Sequence, residues 1–372
     1  MSDITKLEGI VRRAMHEYPD CSDIQFVGGG EVWVHENAAD KRTDWAIADG
    51  DVLGWAEQIA HDKGGAAELT SNARGSLEKA FDIAGVRLRM TWRRQFGGVG
   101  LNVRILPQNP PALESPRFAK NPIPQVLVDM VLNNTDGIIL FEGPTGSGKT
   151  TMQAALVNEV NRRQQRHIYT LEDPIEVVHT SQQSLITQRE VGTDVDSFPQ
   201  GLMTAKRSKP GIILLGELRD RVTMRAALES AGEGHLVLAT SHASAVPEAV
   251  STFIGAFPSD EQNEVAQRMS VTLRGVIVQK LIPSTDGKVV PVREMLRVTD
   301  NIASKIAGDT VGPDLRAALL STGNRDDEGI FSRDDDLLRM VVEGHVHPDV
   351  AVKHAFKGPE LLAKINSRRA LS

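Results

Sequence analysis

The run Gly143-Pro144-Thr145-Gly146-Ser147-Gly148-Lys149-Thr150-Thr151 fits the spacing G-x-x-x-x-G-K-T. Each residue type has a task in holding a polyphosphate. Glycines let the backbone turn tightly and bring N–H groups against phosphate oxygens. Lys149 supplies a point charge to the β- and γ-phosphates, and the Thr150 hydroxyl can ligate Mg²⁺. The apolar run Gly137-Ile138-Ile139-Leu140-Phe141-Glu142 before it reads as a buried parallel strand. Met152 to Arg166 after it reads as a helix, which completes the strand–loop–helix context that this loop requires. The stretch is expected to bind a nucleotide, with ATP and Mg²⁺ as cofactors.

Transfer of a γ-phosphoryl group needs further groups: a second acid near Mg²⁺, something to position water, and positive charge for the transition state. Glu217 follows the apolar run Gly211–Gly216, where a Walker-B acid belongs, with Glu in place of the usual Asp. It is the candidate for a metal-water or water-positioning role. Glu172, Asp173 and Glu176 cluster after the preceding strand, and such carboxylates repel one another unless a cation or arginines lie close. Glu176 is the first candidate to polarise the attacking water, with Glu172 second. His235 and His242 bracket the buried run Leu236–Thr240. His242 suits a γ-phosphate sensor or a subunit contact, and His235 a packed structural role; a zinc pair lacks a third ligand nearby. Lys206-Arg207-Ser208-Lys209 reads as a solvated basic loop, or as an inter-subunit phosphate contact.

These groups must be positioned by an α/β chain. The 372 residues suggest two domains, and a 40% hydrophobic share suits a globular protein. No apolar run reaches a membrane-spanning length of ~18 residues, and the N-terminus lacks the pattern of a signal peptide. The lone cysteine, Cys21, excludes an internal disulfide framework. Net charge −7 and 4% aromatic residues argue against a nucleic-acid motor, whose channels combine basic grooves with stacking rings. A cytoplasmic location is expected.

Residues 1–107 read as a small α/β domain. It would contain helices over Ile4–Tyr18 and Val52–Asp62, strands at Ile24–Val27 and Glu31–His35, and a closing hairpin at Arg87–Trp92 and Leu101–Leu106. Residues 108–124, rich in proline, read as a stiff linker. From 125 to 372 the pattern is strand, loop, helix, repeated, which implies a parallel sheet covered on both faces and followed by C-terminal helices. Acidic and polar residues recur at the carboxyl ends of these strands, where open α/β sheets bind ligands.

Tyr169-Thr170-Leu171-Glu172-Asp173-Pro174-Ile175-Glu176 resembles the aspartate box of the secretion "traffic" ATPases. Gly216-Glu217-Leu218-Arg219-Asp220 resembles their Walker B, and Gly234-His235-Leu236-Val237-Leu238-Ala239-Thr240-Ser241-His242 their histidine box. With the phosphate loop, the set is similar to the PilT/GspE-type family, and nearest within it to the DotB and TraJ ATPases of type IV secretion and plasmid conjugation. The resemblance implies a RecA-like P-loop domain behind a PAS-like N-terminal domain. It further implies a homohexamer that hydrolyses ATP to drive an inner-membrane secretion or conjugation complex, with pilus retraction as the alternative. No direct nucleic-acid contact is expected. In such rings the roles of phosphate binding, Mg²⁺ service and water activation map onto Lys149, Glu217 and Glu176. Arginines from the N-terminal domain reach nucleotide; Arg87, Arg89, Arg94 and Arg104 are candidates, as is Arg189 in Gln188-Arg189-Glu190-Val191-Gly192. Where the family often carries an acid near Pro210, this chain has Lys209-Pro210-Gly211.

Overall fold

A computed structural model describes residues 4–369 apart from 20, 28–29, 37–38, 49, 60–68, 70–74, 84, 97, 107–108, 309 and 322–327. The chain divides into two compact units. The first comprises Met1–Asn109 with Pro174–Val178, and the second Pro110–Asp173 with His179–Ser372.

In the first unit the order is α1 (Ile4–Glu17), β1 (Cys21–Val27), β2 (Glu31–Glu36), β3 (Ala39–Ala46), α2 (Asp51–Ile59), β4 (Ser76–Ile83), β5 (Val86–Gln95) and β6 (Gly98–Ile105). The strands form one sheet in the order β3-β2-β1-β6-β5-β4. Alternation decides its faces: Ile24, Phe26, Leu88, Met90, Trp92, Leu101 and Val103 are buried, with Leu7, Val11 and Ala14 of α1 and Trp55 of α2 in the same core. Two strands, β3 and β4, lie where no strand is expected. Both are edge strands, and β3 (ADKRTDWA) is exposed and charged along most of its length. Such an edge carries no alternating apolar signal and resists pairing with a second chain. Pro107 and Gln108, at the expected boundary between domain and linker, lie outside the described residues.

The second unit runs α3 (Gln125–Asn133), β7 (Gly137–Glu142), α4 (Lys149–Arg163), β8 (His167–Glu172), β9 (Leu185–Glu190), α5 (Phe198–Arg207), β10 (Ile212–Leu215), α6 (Arg221–Gly232) and β11 (Leu236–Thr240). It continues with α7 (Val246–Gly255), α8 (Gln262–Thr272), β12 (Leu273–Pro283), β13 (Val289–Arg297), α9 (Asp300–Ile306), α10 (Val311–Ser321), β14 (Ile330–Phe331), α11 (Arg333–Val342), α12 (Pro348–His354) and α13 (Gly358–Arg369). Its sheet has the order β14-β13-β12-β7-β11-β10-β8-β9. Strands β12, β7, β11, β10, β8 and β9 are parallel, and β13 and β14 close the edge antiparallel. Successive residues of the central strands alternate between two cores. Ile138, Leu140, Val237 and Ala239 face α5 to α10, and Ile139, Phe141, Leu236 and Leu238 face α3 and α4. This two-sided burial explains why β7, β10 and β11 read as unbroken apolar runs.

Residues 110–124, expected as part of a stiff linker, belong to the second unit. Phe118 and Ile123 are buried with α3 and α4, and the Asn121 side chain is fully buried. Apolar residues between the prolines fold this stretch into the second unit. Glu176, expected in the ATPase domain, falls with the Pro174–Val178 segment in the first unit.

Candidate active site

Parallel β7, β11, β10 and β8 stand side by side, so their carboxyl ends gather the candidate residues along one sheet edge. From the end of β7 the chain enters the glycine loop. Gly143 has φ +135°, and a Cβ there would stand 2.2 Å from the Gln279 carbonyl oxygen of β12. Gly148, the residue before α4, has φ +84°, and its Cβ would stand 2.9 Å from the Gln279 side-chain nitrogen. Both positions demand glycine, through conformation and through closeness to β12. Lys149 opens α4 and is buried; its ammonium donates to the carbonyls of Gly143 (2.5 Å) and Pro144 (3.1 Å). Ser147 lies buried within the loop, whereas Pro144, Thr145 and Gly146 are exposed. Thr150 and Thr151 follow in the first turn of α4 and are half-buried.

Glu217 is fixed by its backbone neighbours. Gly216 N–H donates to Leu171 of β8 (2.8 Å), and Leu218 N–H to Thr240 of β11 (2.9 Å). Its carboxylate accepts from Arg219 Nε (2.6 Å) and pairs with His242 Nε2 (2.7 Å). Burial works against the charge of Glu217, but the hydrogen bonds from Arg219 and His242 win and hold its pKa below the usual carboxylate range. Arg219 also reaches Asp173 at 3.4 Å. One guanidinium therefore joins Glu217 and Asp173.

His242 is held from both sides by the end of β7. Ser241 N–H donates to the Phe141 carbonyl (3.1 Å), and Ala243 N–H to Glu142 Oε2 (2.9 Å). Glu142, which in sequence marks only the end of an apolar strand, closes β7. It is 2% exposed, immediately precedes the loop, and burial pushes its pKa up to about 7, opposed by Ala243 N–H and Lys149. Only its type, a carboxylate closing an apolar strand, could have flagged it.

Other candidates find different surroundings. Glu172 is buried and accepts from Thr170 Oγ1 (2.8 Å) and Gln188 Nε2 (3.0 Å). Arg189 donates to the Tyr169 hydroxyl (3.1 Å) and to the Asp194 carbonyl, contacts that tie β9 to β8 and to its own loop. His235 Nδ1 lies 2.7 Å from the Pro210 carbonyl, the packed structural role. Lys206 belongs to the last turn of α5 and pairs with Glu233 (3.0 Å) rather than lying in a loop. Within the first unit, Arg89 pairs with Glu176 (2.6 Å) and Glu78, and burial of the guanidinium is outweighed by these acids, which raise its pKa. Arg87 Nε donates to the Ile175 carbonyl (3.3 Å), and Arg104 pairs with Asp23 (3.0 Å). Arg94 is exposed near the end of β5.

Among the described residues no group of three or more His, Cys, Asp or Glu is poised to hold a metal ion. Thr150 and the ionised Glu217 carboxylate offer the hard oxygen donors that Mg²⁺ takes. Among the described residues no helix is long and apolar enough to cross a membrane.

A family described as "Type II/IV secretion system protein" matches residues 74–310. YggR of Escherichia coli (strain K12) is 42% identical over 217 residues, 58% of this chain and 65% of its own length. In Pseudomonas aeruginosa, the type IV pilus ATPase PilU is 34% identical over 276 residues (74% of this chain, 70% of that protein). The retraction ATPase PilT of that organism is 34% identical over 282 residues (76% and 79%). Among solved structures, the pilus retraction motor PilT with bound ADP superposes with TM-score 0.80 at 27% identity, covering 95% of this chain and 98% of that one. The Legionella pneumophila ATPase DotB shares the fold at TM-score 0.76 and 23% identity, covering 92% and 94%.

Proposed function

This chain belongs to the type II/IV secretion system protein family, and on that premise we propose that it is a Mg²⁺-dependent ATPase that drives a secretion or pilus apparatus. The observation that carries the reading is the sheet edge itself. A glycine loop with its lysine leaves β7, and an acid held ionised by Arg219 and His242 leaves β10, with only β11 between them, at the same end of the parallel strands. In this reading the loop N–H groups and Lys149 bind the phosphates, and Thr150 with Glu217 serves Mg²⁺. When bound there, the cation would supply charge neutralisation to the phosphates. Glu176 is the residue assigned to polarise the attacking water. His242 couples the γ-phosphate to the position of Glu217. The active form is a homohexamer, cytoplasmic and docked peripherally on an inner-membrane complex.

Lys149→Ala is expected to abolish nucleotide binding, and Glu217→Gln to keep binding while lowering kcat at least ~100-fold. Wild-type turnover in either variant sinks the catalytic assignment.

The machine is a type IV secretion or conjugation apparatus in the reading that the motifs favour. Pilus retraction is the second reading, supported by the likeness to PilT and PilU over most of the chain. Expression in a retraction-deficient host separates them: restored twitching motility selects retraction, and its absence with intact ATPase activity selects secretion or conjugation.

A further inference from the structure

Behind the glycine loop lies a buried polar relay that the functional reading does not use. Gln279, 2% exposed in β12, donates from Nε2 to the Ser147 carbonyl of the loop (2.7 Å). The backbone of Gln279 fills the space beside Gly143, and its amide the space beside Gly148. Its Oε1 accepts from Arg293 Nε of β13 (2.7 Å). Arg293 is fully buried and donates to the carbonyls of Asn121 and Pro122 (2.8 Å each). Its backbone N–H donates to Asp336 Oδ2 of α11 (2.7 Å), which also accepts from Asn121 Nδ2 (2.9 Å). Arg339 of α11 donates to Asn121 Oδ1 (2.8 Å). Asp336 and Asn121 are likewise fully buried.

We propose that Gln279 is a positioning residue that seats the phosphate loop, and that Arg293 makes the loop's shape answer to α11 and to the Asn121–Pro122 segment. A buried charge is costly unless its partners are held in place. The guanidinium therefore ties the loop seat to the segment before α3, and Asp336 and Arg339 tie that segment and the backbone of Arg293 to α11, so the three admit one arrangement together. A change in any one of the three is felt by the others, and coupling between binding sites is reciprocal. The proposal rests on the reading of the loop as a nucleotide site, and it names how the C-terminal helices regulate that site.

The test uses the full chain and ADP with Mg²⁺. Affinities are measured by calorimetry for wild type, Q279E, Q279M, D336N and the Q279E/D336N pair. Hydrogen exchange of α11 is followed with and without ADP. Q279E keeps a partner for Arg293 but has no N–H for the Ser147 carbonyl; Q279M preserves neutrality and guards against an effect of added charge. Expected are a tenfold or greater loss of affinity in both, a severalfold loss in D336N, and a double variant no weaker than Q279E alone. ADP should slow exchange in α11 of the wild type and leave it unchanged in Q279M. A merely structural role would lower melting temperature without that reciprocal protection. Wild-type affinity in D336N, or protection of α11 that survives in Q279M, overturns the proposal while leaving the nucleotide reading intact. No binding of ADP by wild type overturns both.

Discussion

Replacement of Glu142 by Gln offers the most direct measure of the electrostatics beside the glycine loop. The carboxyl is 2% exposed, and burial raises its pKa from 4.5 to about 7. Since a tenfold change in acidity corresponds to about 1.4 kcal/mol, that displacement is worth about 3 kcal/mol between the protonation states. The sign follows from linkage. A group whose folded pKa lies above its unfolded value contributes stability that is fully present below about pH 4.5, and that stability is lost as pH rises through about 7. Gln does not titrate, and its amide oxygen still accepts from Ala243 N–H. Glu142→Gln should thus gain on wild type as pH rises, by ~2–3 kcal/mol between about pH 5 and pH 8.5. The assay is denaturant unfolding of both proteins across that range, followed by a probe in the second unit. Titrations common to both proteins cancel in the difference. A difference that stays flat with pH would refute the argument, because Glu142 would then be relieved by solvent or by Lys149.

Three further outcomes follow from other features. Gly143→Ala puts a Cβ 2.2 Å from a carbonyl oxygen at φ +135°; a loss of ~2 kcal/mol or more in stability, with failure to bind nucleotide, is expected from thermal melting and calorimetry. His242→Ala removes one of the two partners that hold Glu217 ionised, and should lower kcat about tenfold with KM little changed. The Cys21 thiol, pushed up to about 11 by burial, should react with iodoacetamide at about pH 8 on the order of 100-fold more slowly than a free thiol, read by mass spectrometry.

Much of the candidate site is legible because its residues sit in short, contiguous runs. The loop Gly143–Thr151, Glu217 after an apolar strand, and His242 after another each announce themselves by residue type at a strand end. The second unit's central strands were equally plain, since burial on both faces leaves no polar interruption. What escaped the sequence depends on partners far apart in the chain. Gln279 meets Ser147 across 132 positions, and Asn121 meets Asp336 across 215. No local pattern marks such pairs. Glu142 looked like a strand terminus because only the fold brings Ala243 against it. The proline-rich stretch misled for a related reason: prolines suit an extended linker, but Phe118, Asn121 and Ile123 decide its place by burial. Arg189 likewise meets the Tyr169 hydroxyl of the neighbouring strand, a contact that no local pattern marks.

One feature of α4 bears on how the molecule can move. Every residue from Met152 to Asn161 is buried, including Gln153, Asn158, Glu159 and Asn161. A helix enclosed on all sides has no free surface along which to slide, so the floor beneath the glycine loop acts as a fixed anvil. On the proposed reading, work drawn from nucleotide then appears in parts that can be displaced at lower cost, such as the loops at the strand ends. The amides of α4 should accordingly be among the last in the chain to exchange with solvent, opening only when the whole unit unfolds.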